Sequence, residues 1–192
     1  MSEIAVRFEE VAAALSARVE AVPADAWERP APCEGWVARD VVRHLVDWLP
    51  GPGFLLGTFD IDAGPIPSVD ADPSAAWAAV RRSIQSALDD PVTAARVRDC
   101  GPPGRLSFEA AVDMTCIPDV LIHTWDLARS TGLDERLDPE EVRRQLARIG
   151  ALPPEADRAM RSSGHYGPRV AVADDADEQV RLLAFMGRQA LP

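Results

Sequence analysis

SFEAAVDMTCIPDVLIHTWDLARSTG, residues 107–132, is the longest stretch of the chain that reads as one element. It opens after Ser107 and stops at Gly132, a residue type that ends helices by adopting the left-handed conformation. Its apolar residues do not alternate as a half-buried strand requires, so it reads as a helix. Pro118 lies inside it and removes one backbone hydrogen bond, which predicts a kink within a turn of Asp119 and His123.

The rest of the chain follows the same period. Ile4, Phe8, Val11, Leu15, Val19 and Val22 step by three or four residues, with Ser2 as N-cap and Pro23 as stop. A second helix runs from Trp36 to about Leu49, where Val37, Val41, Leu45 and Trp48 share a face with His44. Residues 50–72, rich in Gly and Pro, read as a long loop. Asp72-Pro73 then opens a helix with Trp77, Val80, Ile84 and Leu88 on its buried stripe, and CGPPGRL breaks the chain before residue 107. Beyond Gly132, a capping box at Asp138-Pro139-Glu140-Glu141 opens a helix carrying Val142, Leu146 and Ile149. GPRVAVADD reads as extended, and a last helix spans Asp177 to about Gly187. Long helices with almost no strand pattern predict an all-α bundle. We expect a single domain over 1–192, with a bundle core over about 1–132 and a C-terminal extension over about 133–192.

Composition removes several functions. The 20 basic residues are all Arg, against 31 acidic ones, for a net charge of −11. Without Lys there is no Schiff-base or P-loop lysine, and no basic cluster tracks a phosphate backbone, so nucleic acid is not an expected partner. Cys33, Cys100 and Cys116 are odd in number and widely spaced, which fits a reducing cytoplasm rather than a disulfide framework. No signal peptide and no membrane span are read from the sequence. The absence of Lys and Asn fits a GC-rich genome.

Chemistry concentrates on few residues. Asp119 and His123 are four apart on one helix, so both project from one face about a turn apart, and His44 lies on another helix. Two imidazoles and a carboxylate are the ligand set of many catalytic zinc sites, with a fourth position open. The same spacing equally suits core histidines with satisfied hydrogen bonds, and spacing alone leaves both readings standing. Asp126 and Asp47, each three residues after a histidine, are placed to accept its other ring N–H or to remain solvated carboxylates. Cys33 precedes the second helix, where it is either activated by the helix N-terminus or a buried structural thiol. Trp36, Trp48 and Trp125 read as core packing around the site, with one of them lining a substrate cavity as the alternative.

Pro32-Cys33-Glu34-Gly35-Trp36 followed by Asp40-Val41-Val42-Arg43-His44-Leu45 resembles the PCxGW…DVxxHL signature of the DinB/YfiT-like metal-binding family. That family is typified by the N-terminal domain of mycothiol-dependent maleylpyruvate isomerase. The stretch Asp119 to Arg129, DVLIHTWDLAR, resembles the family's second signature, and Tyr166-Gly167-Pro168 to Arg188 its C-terminal end. The resemblance covers nearly the whole chain. It implies an up-down four-helix bundle, here with additional C-terminal helices, and a metal held by His44, Asp119 and His123. The typical isomerase has Glu where this chain has Asp119, one methylene shorter, and the isomerase's C-terminal domain is not matched.

The resemblance further implies a divalent metal, zinc with nickel as the alternative, and a low-molecular-weight thiol such as mycothiol. The expected activity is that of a thiol-dependent transferase or isomerase acting on a small electrophilic substrate. A metal-dependent hydrolase using a bound water and a non-catalytic metal-binding or stress-response protein remain alternatives. Secondary site candidates are His165, as an acid or base from a turn, and Arg188, as a carboxylate clamp. Oligomeric state is open, with a homodimer as one expectation.

Overall fold

A computed structural model describes residues 1–162 and 167–190. It resolves into two compact units, Met1–Glu135 and Arg136–Pro192.

In the first unit, helix α1 (Glu3–Ala21) starts where Ser2 Oγ accepts from Ala5 N at 3.1 Å, and it buries Phe8, Val11, Leu15 and Val19. This is the face that the apolar spacing selects. Helix α2 (Ala38–Trp48) begins two residues later than expected, with Asp40 Oδ2 accepting from Val37 N at 3.0 Å, because Trp36 belongs to the preceding turn. The stretch read as a loop contains a short helix, α3 (Leu55–Thr58). Buried Leu55, Leu56 and Phe59 hold it in place. Here Gly57 passes so close to Gly51 that a Cβ would lie 2.4 Å from the Gly51 carbonyl oxygen, so only glycine fits.

Helix α4 (Pro73–Asp89) has its expected cap, Asp72 Oδ1 accepting from Ala75 N at 2.9 Å, and buries Trp77, Val80, Ile84 and Leu88. A short helix α5 (Pro91–Ala94) follows. The Gly/Pro break is the turn of a small hairpin, in which β1 (Val97–Asp99) pairs antiparallel with β2 (Arg105–Ser107) and Val97 faces Ser107.

The stretch 107–132 is one continuous helical run in three parts: α6 (Phe108–Ala111), a π-helical turn (Val112–Cys116) and α7 (Ile117–Thr131). The irregularity expected at Pro118 occupies the five preceding residues, where Ile117 N–H reaches back to the Val112 carbonyl. Pro118 falls in the first turn of α7, and Gly132 ends the run in the left-handed region at φ 76°. Arg7 on α1 pairs with Asp113 of the π-turn at 2.7 Å.

Helix α1 packs against α7 and α4, and α2 packs against the same two, so the four long helices close a ring in the order α1, α4, α2, α7. Phe8, Leu15, Leu45, Trp77, Ile84, Ile117, Trp125 and Leu127 are fully buried between them, each large apolar side chain contributing about 1.5–3 kcal/mol by leaving water. The molecule is mostly helical, as the sequence and the DinB-like resemblance imply.

In the second unit, α8 (Pro139–Gly150) is capped by Asp138, and α10 (Glu178–Phe185) by Asp177. The two pack together over Val142, Leu182 and Leu183. Between them in the chain lies a further helix, α9 (Pro154–Ser162). No helix among the described residues is long and apolar enough to cross a membrane.

Candidate metal centre

Helix α2 supplies His44, and the neighbouring α7 supplies Asp119 in its first turn and His123 one turn on. His44 Nε2 lies 3.3 Å from Asp119 Oδ2, and His123 Nε2 lies 3.4 Å from Asp119 Oδ1. The structure thus brings the three expected residues together, with one donor atom from each inside a 4.8 Å cluster. Asp119, although one methylene shorter than Glu, reaches both imidazoles.

The arrangement fits a small cation. Asp119 Oδ2 is buried and faces His44 Nε2 at 3.3 Å without hydrogen-bond geometry, an arrangement of donor atoms that a cation between them would satisfy. A tetrahedral zinc site with arms of about 2.0–2.1 Å has ligand atoms about 3.3 Å apart, and each imidazole here stands 3.3 or 3.4 Å from a different oxygen of the one carboxylate. Two imidazole nitrogens and one carboxylate oxygen are borderline donors suited to zinc or nickel.

The electrostatics of the metal-free cluster show how tightly these groups are coupled. Burial opposes the charged form of His123, but the charges of Asp119 and Asp126 outweigh it and raise the imidazole to about 9. Burial likewise opposes ionisation of Asp119, yet His123 and His44 hold its carboxyl well below the usual range. A cation entering the cluster therefore meets an ionised carboxylate and displaces a proton from His123.

Around these three residues, Asp126 is fully buried with Oδ2 2.9 Å from His123 Nδ1, the first of the two readings its i+3 position left open. Asp47, at the same offset from His44, is exposed. Trp36 lies over both histidines, its ring centroid 5.2 Å from His44 and 5.8 Å from His123. Trp48 stacks on His44 at 5.4 Å, and Phe54 in turn sits 5.0 Å from Trp48. Trp125 is core as expected, but Trp36 and Trp48 are half-buried walls of the site.

The PCEGW segment explains the placement of Trp36. Trp36 N donates to the Cys33 carbonyl at 3.1 Å, and Gly35 occupies the third turn position at φ 77°, a conformation that side-chain-bearing residues resist. Cys33 is half-buried with Sγ 3.6 Å from Asp126 Oδ2, so Cys33, His123 and Asp126 form a second set of converging donors. The sequence favoured core for Trp36 and left a site-lining role open for one of the three tryptophans, and its place beside Gly35 in the first signature was the signal that selects it.

The secondary candidates stand apart from this description. His165 lies outside the described residues. Arg188 belongs to the second unit, where its Nη1 donates to the Met186 carbonyl at 3.1 Å.

Comparison with known proteins adds a family. The family described as mycothiol maleylpyruvate isomerase N-terminal domain matches residues 8–128, which include every residue of the cluster. Two uncharacterized proteins from strains of Mycobacterium tuberculosis are each 30% identical over 192 residues, covering 95% of this chain and 94% of the relative. No solved structure matches.

Proposed function

The chain belongs to the mycothiol maleylpyruvate isomerase N-terminal domain family, and on that premise we propose that it is a metal- and thiol-dependent enzyme. One divalent ion, zinc or nickel, is held by His44, Asp119 and His123. The partner is a low-molecular-weight thiol of the mycothiol type, and the reaction is a transfer or isomerisation of a small electrophile. The observation that carries this reading is the Asp119 carboxylate set between imidazoles from two adjacent helices, with Oδ2 3.3 Å from His44 Nε2 and Oδ1 3.4 Å from His123 Nε2.

When bound, the cation lowers the pKa of a coordinated thiol so that its thiolate is present at neutral pH. The remaining work belongs to the chain. Asp119 supplies the negative charge that offsets part of the cation's. Asp126, against His123 Nδ1, leaves Nε2 facing the cluster. Trp36 and Trp48 flank His44 and keep bulk water from one side of it, which strengthens every charge interaction inside. Three cysteines, none in a disulfide among the described residues, fit the cytoplasm, where a small-thiol pool is reduced.

Metal content and thermal shift test the reading together. Purified protein is expected to carry near-stoichiometric zinc or nickel, and His44→Ala or His123→Ala to lose it. Mycothiol is expected to raise Tm only when the metal is present. Metal retained by both variants rejects the ligand assignment. Metal without a response to mycothiol, bacillithiol or glutathione instead favours the hydrolase or the non-catalytic metal-binding protein.

A further inference from the structure

We propose that Cys33 is a positioning residue of the metal centre, its thiol holding Asp126 so that Asp126 fixes the ring of His123. The inference rests on the reading of His44, Asp119 and His123 as metal ligands, and it names a residue outside that set.

The geometry runs in one line. Cys33 Sγ lies 3.6 Å from Asp126 Oδ2, and the same oxygen lies 2.9 Å from His123 Nδ1. The opposite ring nitrogen, Nε2, is the one 3.4 Å from Asp119 Oδ1. Asp126 has no exposed surface and His123 is 5% exposed, so water has little access to either group. A carboxylate oxygen held by a thiol on one side and an imidazole nitrogen on the other has less freedom to rotate than one held from a single side. The ring it faces then has less freedom to turn its Nε2 away from Asp119.

The Cys33 side chain is itself placed by backbone. The tight turn at Gly35 and the paired strands of chain on either side, with Ala31 N donating to Trp36 O at 2.8 Å and Ala38 N to Arg29 O at 2.9 Å, tie the turn to the start of α2. One turn therefore does two things: it lays Trp36 over both histidines and sets the thiol against the carboxylate behind one of them. A thiol is a weak donor, but a hydrogen bond to a charged acceptor in a water-poor setting is stronger than the same bond in water.

The test compares wild type, Cys33→Ala and Cys33→Ser, with and without cobalt or zinc. Loss of a residue that supports a metal-binding histidine weakens the metal by about 10–100-fold, and Cys33 is one contact further out, so Cys33→Ala is expected at the lower end, about tenfold. Cys33→Ser keeps a donor on a shorter side chain and is expected to fall between wild type and Cys33→Ala. The cobalt visible spectrum should broaden in Cys33→Ala as His123 loses its fixed orientation. A purely structural thiol would lower the metal-free Tm while leaving the metal-induced rise in Tm unchanged, and that result overturns the proposal. So does Cys33→Ala binding metal within twofold of wild type.

A second readout needs no metal. In metal-free protein the proton on His123 Nδ1 is expected to give a downfield imidazole signal that exchanges slowly with water, and to exchange at least several-fold faster in Cys33→Ala. An unchanged exchange rate overturns the proposal even where metal binding stands. A wild type that takes up neither zinc nor cobalt, yet shows the exchange difference, rejects the metal reading while leaving Cys33 as the group that positions His123.

Discussion

His44 Nε2 lies 3.3 Å from Asp119 Oδ2, so an imidazole of α2 meets a carboxylate of α7 across the seam between two adjacent helices. The pairing joins residues 75 positions apart in the numbering and closes a cluster that α7 alone, with Asp119 and His123, leaves half-built.

Asp119 therefore carries the charge of the site. Asp119→Asn preserves its shape and removes the charge, and zinc affinity is expected to fall more than about 100-fold, beyond the loss typical of a residue that merely supports a ligand. Asp119→Glu restores the residue of the typical isomerase and is expected to stay within about tenfold of wild type. Competition with a chromogenic chelator measures both. Wild-type affinity in Asp119→Asn would remove the carboxylate from the ligand set.

The metal-free protein should show a pH-dependent stability set by the same cluster. His123 is raised from 6.5 to about 9, so its contribution is fully present below pH 6.5 and is lost as pH rises through about 9. Asp119 is lowered from 3.8, so its contribution is present above pH 3.8 and is lost as pH falls toward the depressed value. Tm in the presence of chelator is thus expected to be highest between about pH 4 and 6.5 and to decline toward pH 9. His123→Ala should lack the alkaline decline. In zinc-loaded protein the alkaline trend reverses, because the metal then competes with fewer protons for Nε2.

What the sequence showed and what it hid divide along physical lines. Periodicity identified the buried face of α1 and the caps Ser2, Asp72 and Gly132, because those depend on local spacing and local hydrogen bonds. It paired Asp119 with His123 on the same ground. His44 was a candidate from residue type alone, and the resemblance raised it to the leading reading, since no local pattern says which helices become neighbours. Asp47 and Asp126 are equivalent by offset, and only packing separates them: α7 is buried almost all round, whereas α2 turns Asp47 to solvent. The three-residue strands of the hairpin are too short to show an alternation. The π-turn leaves no mark on apolar spacing, which drifts only slightly across five residues.

That π-turn is expected to be required for the site. Deleting Thr115 would return the run to α spacing and rotate what precedes it by about 100° relative to Asp119 and His123. Either the Arg7–Asp113 pair or the register of α7 must then give way. We expect a lower Tm and at least partial loss of metal, measured by melting and by metal analysis. A deletion variant with wild-type Tm and full metal content would show that the extra residue is incidental.

Core and site should separate on mutation. Ile84 is fully buried on α4, and Ile84→Ala is expected to cost about 2–5 kcal/mol in urea unfolding while leaving metal stoichiometry intact. Loss of metal in folded Ile84→Ala would mean that the ligands depend on bundle packing more than their own contacts imply.

The ring of Trp36, laid against both histidines, also gives the molecule an optical gauge of its own. Of the five indoles, Trp77 and Trp125 lie in the dry interior and are expected to emit to the blue. Trp36, half-buried like Trp27 and Trp48, is expected to emit further to the red, and it lies against the two imidazoles. A paramagnetic ion seated there would dim that red edge first, making the occupancy of the centre readable in a cuvette without a label.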